Sequence, residues 1–431
     1  MGLSIISGWF PVLFLVLGIL ALVALLVDRG RSWWLRRVPI AVLAAAAVTA
    51  VAVWFTDGVW HPFADDLPPT AVVWIGLTLV ALALAVVRRG RAWVRVLAFV
   101  GVLVVGLAGA VQVNRSFGDY PTLAALLGEP LADQVDASDV LGTGTSAVSQ
   151  SGDAPLTSVW TAPSGLADKG RVTTSPIPGT VSGFQAQDAW IYLPPAYAAT
   201  PRPLLPVLIL LAGQPGTPRN WFDGPNLAGT MDAYAAAHQG IAPVVVVADW
   251  LGEDANANPL CVDSAAGGND FTYLSKDVPD WIRANLQVDP RPDRWAVGGL
   301  SAGATCALQL ATNAPDEFPT FLFFSGQLEP TLSDRADTVN TLFNGDEDAF
   351  RKINPADIMK TRTFPNTAGM FAAGASDTEY GPSTKTMSEA AKAAGMQVQY
   401  QTVPGAHDFI TWGECLAASM DWLGTRLDIT G

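Results

Sequence analysis

The sequence predicts an α/β domain, built as a mostly parallel sheet with helices on both faces, preceded by a four-helix transmembrane region. Three observations carry this prediction. Four apolar runs of about bilayer-spanning length follow one another within the first 113 residues. From residue 189 onward, short apolar or β-rich runs alternate with helical patterns, the arrangement expected of parallel strands buried on both sides. One of those runs leads directly into Gly299-Leu300-Ser301-Ala302-Gly303, a G-x-S-x-G between a strand and a small-residue helical stretch.

The four runs, 9–27, 38–55, 71–87 and 96–113, are nearly free of charge, and they explain a composition that is 50% hydrophobic. The first is too long for a cleavable signal and no basic segment precedes it, so it reads as a retained span. Orientation follows from the arginines. Arg29, Arg31, Arg36 and Arg37 lie between spans one and two, and Arg88, Arg89, Arg91 and Arg95 between spans three and four. Segment 57–70 has no lysine or arginine and contains Asp65 and Asp66. The arginine-rich loops are therefore expected in the cytoplasm, and the N-terminus and everything after 113 on the other side. Trp33, Trp34, Trp60, Trp74 and Trp93 fall in or near the loops and span ends, where indole favours the headgroup zone.

Segment 114–180, thin in periodicity and rich in small and polar residues, is expected to be an extracytoplasmic linker before a catalytic domain at 181–431. Expected strands are 189–193, 207–212, 243–249, 294–298, 320–324, 368–374 and 397–403. A helix is expected at 274–286, where Leu274, Val278, Ile282 and Leu286 recur at spacing four. Leu416, Met420, Leu423 and Leu427 mark the buried face of a last helix.

Charge divides the chain in the same place. Residues 1–113 hold eight basic and four acidic side chains, whereas 17 basic face 35 acidic from 114 onward. An acidic exterior domain has no basic stripe for phosphates, which argues against nucleic acid as a partner.

The pentapeptide reads as a strained strand-to-helix turn that lifts the Ser301 hydroxyl clear of the sheet, and side chains at Gly299 or Gly303 would collide with neighbouring backbone. A serine nucleophile needs a histidine base, and the chain has three histidines. His61 lies between two spans, and His238 ends an alanine-rich helix before Gly240, a structural position. His407, in Gly405-Ala406-His407-Asp408 after the last expected strand, is the candidate base. The acid should lie between them in sequence. Asp377 fits, just past the strand ending at Gly374, with Glu379 as competitor; Asp408, adjacent to the histidine, is poorly placed to reach the far nitrogen of the same ring.

The cysteines, Cys261, Cys306 and Cys415, all fall in the exterior part, where an oxidising location permits a disulfide. Cys261 and Cys306 both approach the active-site end of the sheet and form the expected pair, leaving Cys415 free. No Cys-x-x-Cys or His-x-x-x-His spacing exists, so neither a metal nor a cofactor is expected.

Tyr192-Leu193-Pro194-Pro195-Ala196-Tyr197, then 204–211 with Ala212-Gly213-Gln214-Pro215-Gly216, then the serine pentapeptide and Gly405-Ala406-His407-Asp408, resemble the putative-esterase branch of the α/β-hydrolase superfamily. That branch includes esterase D-like hydrolases, feruloyl esterases and actinobacterial mycolyltransferases. The resemblance covers roughly 185–427, and the four spans resemble membrane-anchored actinobacterial members in outline. It implies a serine carboxylic ester hydrolase or acyltransferase with Ser301 as nucleophile, His407 as base and Asp377 as acid. The backbone N–H groups of Gln214 and Ala302 are the expected oxyanion donors. Family members usually carry His-Gly where this chain has Ala212-Gly213, so a hydrolase-like scaffold without chemistry is the alternative class. A transport role for the spans would call for intramembrane charges, which these runs almost entirely lack. The expected substrate is a small or lipid-like ester. Segments 251–270 and 326–363, the latter otherwise loop-like, should form its mouth; Asn220 and Trp221 could line it, a packing role for Trp221 being an equal alternative, and Leu328, Leu332, Leu342 and Phe343 could supply an apolar lid.

Overall fold

The computed structural model describes residues 2–28, 30–60, 67–143, 146–148 and 154–431. The chain divides into two compact units, 1–129 and 130–431. His61, Asp65 and Asp66 lie outside the described residues.

In the first unit, α1 (Trp9–Leu26), α2 (Val38–Phe55), α3 (Pro69–Val87) and α4 (Ala92–Phe117) coincide with the four apolar runs. Among the described residues these four helices are long and apolar enough to cross a membrane, with a turn of π-helix at each end of α2. They pack through small residues: a Cβ added at Gly18 would press on Ala108, and one at Gly109 on Trp74. Large apolar side chains such as Leu20, Leu43, Val86 and Leu103 face outward, as expected of helices whose solvent is hydrocarbon. Arg88 closes the end of α1, donating to the carbonyls of Leu25 and Val27 at 2.8 Å each, with its guanidinium 5.6 Å from the Trp33 ring centre.

The second unit is built on an eight-stranded sheet among the described residues. In chain order its strands are β1 (Arg171–Ser175), β2 (Ala189–Leu193), β3 (Val207–Leu211), β4 (Val244–Val247), β5 (Trp295–Leu300), β6 (Thr320–Phe324), β7 (Ala368–Gly374) and β8 (Gln397–Val403). Their spatial order is β8-β7-β6-β5-β3-β4-β2-β1. The pairs from β4 to β8 are parallel, whereas β2 runs antiparallel to β4, and β1 to β2. Sequence explains position. The runs VLILL, VVVV and TFLFF are buried on both sides, so they occupy the middle, while the edge strand β8 alternates glutamines with Val398, Tyr400 and Thr402.

Helices α5 (Leu227–Ala237), α6 (Val278–Asn285), α7 (Ala302–Asn313), α8 (Arg335–Phe343), α9 (Glu347–Ile353), α10 (Tyr380–Ala393) and α11 (Phe409–Arg426) complete the unit, covering both faces of the sheet. Helix α7 packs on β5 and β6, and α10 and α11 pack on β7 and β8. The aromatic core includes Phe321, Phe323 and Phe371, whose rings meet at 5.3 and 5.1 Å.

Two expectations need correction. The linker expected at 114–180 is not a bare tether beyond residue 130. Arg171–Ser175 is the edge strand β1; Val172 exchanges backbone hydrogen bonds with Asp133 and Val135, and the N–H groups of Leu156 and Thr157 bond the carbonyls of Asp428 and Ile429. Isolated apolar residues do this, since Leu156, Trp160 and Val172 are each buried in the core although none belongs to a periodic pattern. Segment 326–363, expected to be a loop-like part of the substrate mouth, carries α8 and α9. Arg335 anchors them by ion pairs to Glu329 (2.7 Å), Glu347 (2.8 Å) and Asp357 (2.8 Å). Leu328 is 48% exposed, whereas Phe343 packs edge-on against Phe350.

Candidate active site

Every chemically relevant side chain of the site stands just past the C-terminal end of a parallel strand, where this sheet architecture places ligands. Ser301 follows β5 with φ 53° and ψ −123°, a conformation that costs a non-glycine residue about 1–3 kcal/mol. Its surroundings enforce it. The Ser301 N–H remains in register with the sheet, donating to Phe324 O at 2.8 Å, while the next residue already begins α7. A Cβ at Gly299 would overlap the Gly303 carbonyl, and a Cβ at Gly303 would overlap the carbonyls of Leu211 and Ala212.

His407 follows β8. Its Nε2 lies 3.1 Å from Ser301 Oγ and its Nδ1 3.0 Å from Asp377 Oδ2. With the neutral ring carrying its proton on Nδ1, the serine hydroxyl donates to Nε2 and Nδ1–H donates to the carboxylate. The imidazole is held between Tyr380, 4.5 Å away at a tilt of 34°, and Trp412, 4.8 Å away and edge-on. Asp408 serves the loop instead of the ring, since its carboxylate caps α11 by accepting from the Thr411 N–H at 2.9 Å and hydroxyl at 2.9 Å.

Asp377 follows β7 and is only 5% exposed. Its second oxygen accepts the Tyr380 N–H at 2.8 Å. The acid and histidine loops are strapped together, because Ser376 N–H donates to Gly405 O (2.8 Å) and Ala375 N–H to Val403 O (2.7 Å). Glu379, the competing acid, is exposed at the start of α10.

The turn after β3 runs past the serine. A Cβ at Gly213 would sit 3.5 Å from Ser301 Cβ, so the backbone of 213–214 borders the hydroxyl. On the other side Ala302 opens α7, and its N–H has no carbonyl four residues back within the helix to bond. Two indoles fix the turn: Trp221 Nε1–H donates to Leu211 O (3.0 Å) and Trp250 Nε1–H to Ala212 O (2.8 Å). Trp221 is thus fully buried and does not line a substrate mouth, and Asn220 is turned inward to accept the Thr217 N–H at 2.6 Å.

A serine, imidazole and carboxylate in this relay, beside two backbone donors, can deprotonate a hydroxyl as it attacks an acyl carbonyl and receive the resulting oxyanion. The family described as Putative esterase matches residues 186–423, more than half of the chain and inclusive of all these groups. The chain belongs to that family. A protein of Corynebacterium glutamicum that carries no assigned activity is 37% identical over 417 residues, covering 94% of this chain and 92% of its own. That match covers more of the chain than the 302 residues of the second unit, so it extends into the first unit as well. Two solved structures share the fold at 18% identity. One is a ferulic acid esterase (TM-score 0.51, 60% of this chain and 99% of its own) and the other an S-formylglutathione hydrolase from Agrobacterium tumefaciens (TM-score 0.51, 61% and 97%).

The esterase unit also contains groups that the sequence did not single out. Tyr380 and Trp412 clasp the imidazole, and Trp250 fixes the turn after β3. Their signal was position, since Trp250, Tyr380 and Trp412 all follow the C-terminal end of a strand within ten residues. Asp249, just past β4, is buried, and this pushes its carboxyl up to about 6 although the N–H groups of Gln187 (2.8 Å), Leu251 (3.2 Å) and Gly252 (3.1 Å) favour the ionised form. Cys261 and Cys306 are disulfide-bonded with Cα atoms 5.4 Å apart. Cys415 is free and buried, which pushes its thiol up to about 12. Among the described residues no group of three His, Cys, Asp or Glu side chains is arranged to hold a metal ion.

Proposed function

We propose that this protein is a membrane-anchored serine esterase of the extracytoplasmic face, acting on carboxylic esters through an acyl-Ser301 intermediate. The observation that carries the reading is the relay of 3.1 and 3.0 Å contacts linking Ser301, His407 and Asp377. His407 takes the Ser301 proton as Oγ attacks the acyl carbon and returns it to the departing alkoxide. Asp377 fixes the tautomer and stabilises the imidazolium. The N–H groups of Ala302 and Gln214 receive the oxyanion, each such donor contributing about 3 kcal/mol to transition-state stabilisation. Water then repeats the sequence on the acyl-enzyme, and a sugar or other hydroxyl entering in its place would make the reaction an acyl transfer.

The four apolar helices support anchoring, and the arginines of segments 29–37 and 88–95, set against the arginine- and lysine-free segment 57–70, support a catalytic unit outside the cytoplasm. The domain division accordingly proposed is anchor, short connection and esterase, the last beginning near residue 130. Leu328 and Ile410, at 48% and 47% exposure, follow β6 and β8 at the end of the sheet where the site lies, which favours an acyl group with apolar character. The purified full chain in detergent micelles should release p-nitrophenol from short and medium-chain acyl esters, and Ser301→Ala should not. Undiminished turnover by that variant would refute the reading. Repeating the assay with added sugar acceptors scores hydrolysis against transfer.

A further inference from the structure

The two expected oxyanion donors stand on separate elements, Ala302 on α7 and Gln214 on the turn after β3, and one loop holds both. Segment 250–262 begins with Trp250, whose indole grips Ala212 O at 2.8 Å. It then offers Ala255 O to the Gly216 N–H (3.0 Å) and Asn256 O to Gln214 Nε2–H (2.9 Å), so it touches the turn on both sides of the cis Gln214-Pro215 bond. At its far end the same loop is fastened to α7 twice. Cys261 is disulfide-bonded to Cys306, one helical turn beyond Ala302, and Gln309 Nε2 donates to the carbonyls of Leu260 (3.0 Å) and Cys261 (3.2 Å).

The fastening works against backbone preference. Leu260 and Cys261 are consecutive non-glycine residues at φ 61° and 57°, a left-handed pair that an unrestrained loop would leave. A buried carboxyl, Asp270, packs against the backbone of Cys261 and Val262, so the attachment point is also desolvated. Releasing the sulfur link would let the strained pair relax, and the carbonyls of Ala255 and Asn256 lie only a few residues away.

We infer that Cys261 and Cys306 are positioning residues that set the spacing between the two oxyanion donors by tying the loop under the Gln214 turn to the helix that begins at Ala302. The inference rests on the proposed esterase chemistry and adds a residue pair to it. Because no hydrogen bond among the described residues joins the loop to Ser301 or His407, breaking the link should leave the bonds of the relay in place and loosen the cradle for the oxyanion.

The test compares oxidised wild type, wild type reduced with dithiothreitol, and Cys261→Ser/Cys306→Ser, all as full chain in detergent below the unfolding temperature. Dithiothreitol supplies the two electrons and two protons and leaves as its cyclic disulfide, with the release of both Cys261 and Cys306 thiols verified by alkylation and mass spectrometry, while Cys415 is already a thiol and is unchanged by reduction. We expect kcat to fall about tenfold in both unlinked forms with KM changed less than twofold. Affinity for an alkyl boronic acid, whose serine adduct is tetrahedral, should fall by the same factor as kcat/KM, and reoxidation should restore the wild type. The double variant should ignore dithiothreitol. If the variant does not fold, the reduction and reoxidation arms on native protein decide the matter. Unchanged kcat and boronate affinity in a folded, unlinked protein would overturn the inference and leave the disulfide a staple only, whereas absence of activity in the oxidised enzyme would overturn the esterase reading and this inference together.

Discussion

Asp377 meets His407 Nδ1 at 3.0 Å with one carboxylate oxygen and the Tyr380 N–H with the other, so neither oxygen is free to turn toward a different partner. This geometry demands an acceptor at both oxygens, so even an isosteric amide cannot take the place of the acid. Asp377→Asn should keep the fold and lower kcat by about four orders of magnitude, because an amide NH₂ facing Nδ1 would select the tautomer that cannot accept the serine proton. Glu379→Gln, at an exposed site outside the relay, should change kcat by less than about twofold. Steady-state kinetics of both variants on one acyl ester checks the assignment; comparable losses would mean the acid has been misassigned.

Gly303 has no room for a side chain against the Leu211 and Ala212 carbonyls, which belong to rigid backbone. Gly303→Ala should therefore destabilise the esterase unit by at least about 1–3 kcal/mol, the usual cost of overpacking, and displace the elbow. Tryptophan-fluorescence melts would show a lowered transition, and a wild-type melting curve would contradict the packing described for the turn.

Asp249 couples stability to pH. With its folded pKa raised to about 6 by burial from an ordinary 3.8, the native state holds the proton more tightly than the unfolded chain. The stabilisation from protonation is full below pH 4 and is lost as pH rises from about 4 to about 6, an effect on the order of 2–3 kcal/mol. Asp249→Asn should remove that slope, so that wild type and variant diverge between pH 4 and 6 and run parallel above pH 7. Urea unfolding of the two proteins at half-unit pH intervals measures it; identical pH dependence would contradict the assignment.

The orientation proposed from the arginines is open to labelling, since the native cysteines are either bonded or buried. Gly58→Cys should react with a membrane-impermeant maleimide on intact cells, and Ser32→Cys only after lysis. The reverse pattern would put the esterase unit in the cytoplasm.

Much of this architecture was legible because its signals are local. The buried strands are continuous apolar runs, and the elbow carries steric requirements that only Gly299 and Gly303 meet. The histidine could be found by elimination. What escaped depended on contacts between distant segments. β1 reads RVTTS, five residues with little hydrophobic signal, and it becomes a strand because β2 offers an unpaired edge. Trp221 stayed open between lining and packing because aromatic side chains near a site serve both; the indole bond to Leu211 O decides for packing. Glu379 lies two residues beyond Asp377, and what tells them apart is the burial of Asp377 and its contact with His407 Nδ1.

The central claim is that His407 and Asp377 turn Ser301 into a nucleophile. The most direct measurement is mass spectrometry of the intact full-length protein after treatment with a fluorophosphonate. The account predicts a single adduct on Ser301, formed rapidly in wild type, slowed at least a hundredfold in His407→Ala, and absent from Ser301→Ala. A wild-type protein that remains unmodified, or an adduct that persists in Ser301→Ala, would contradict it.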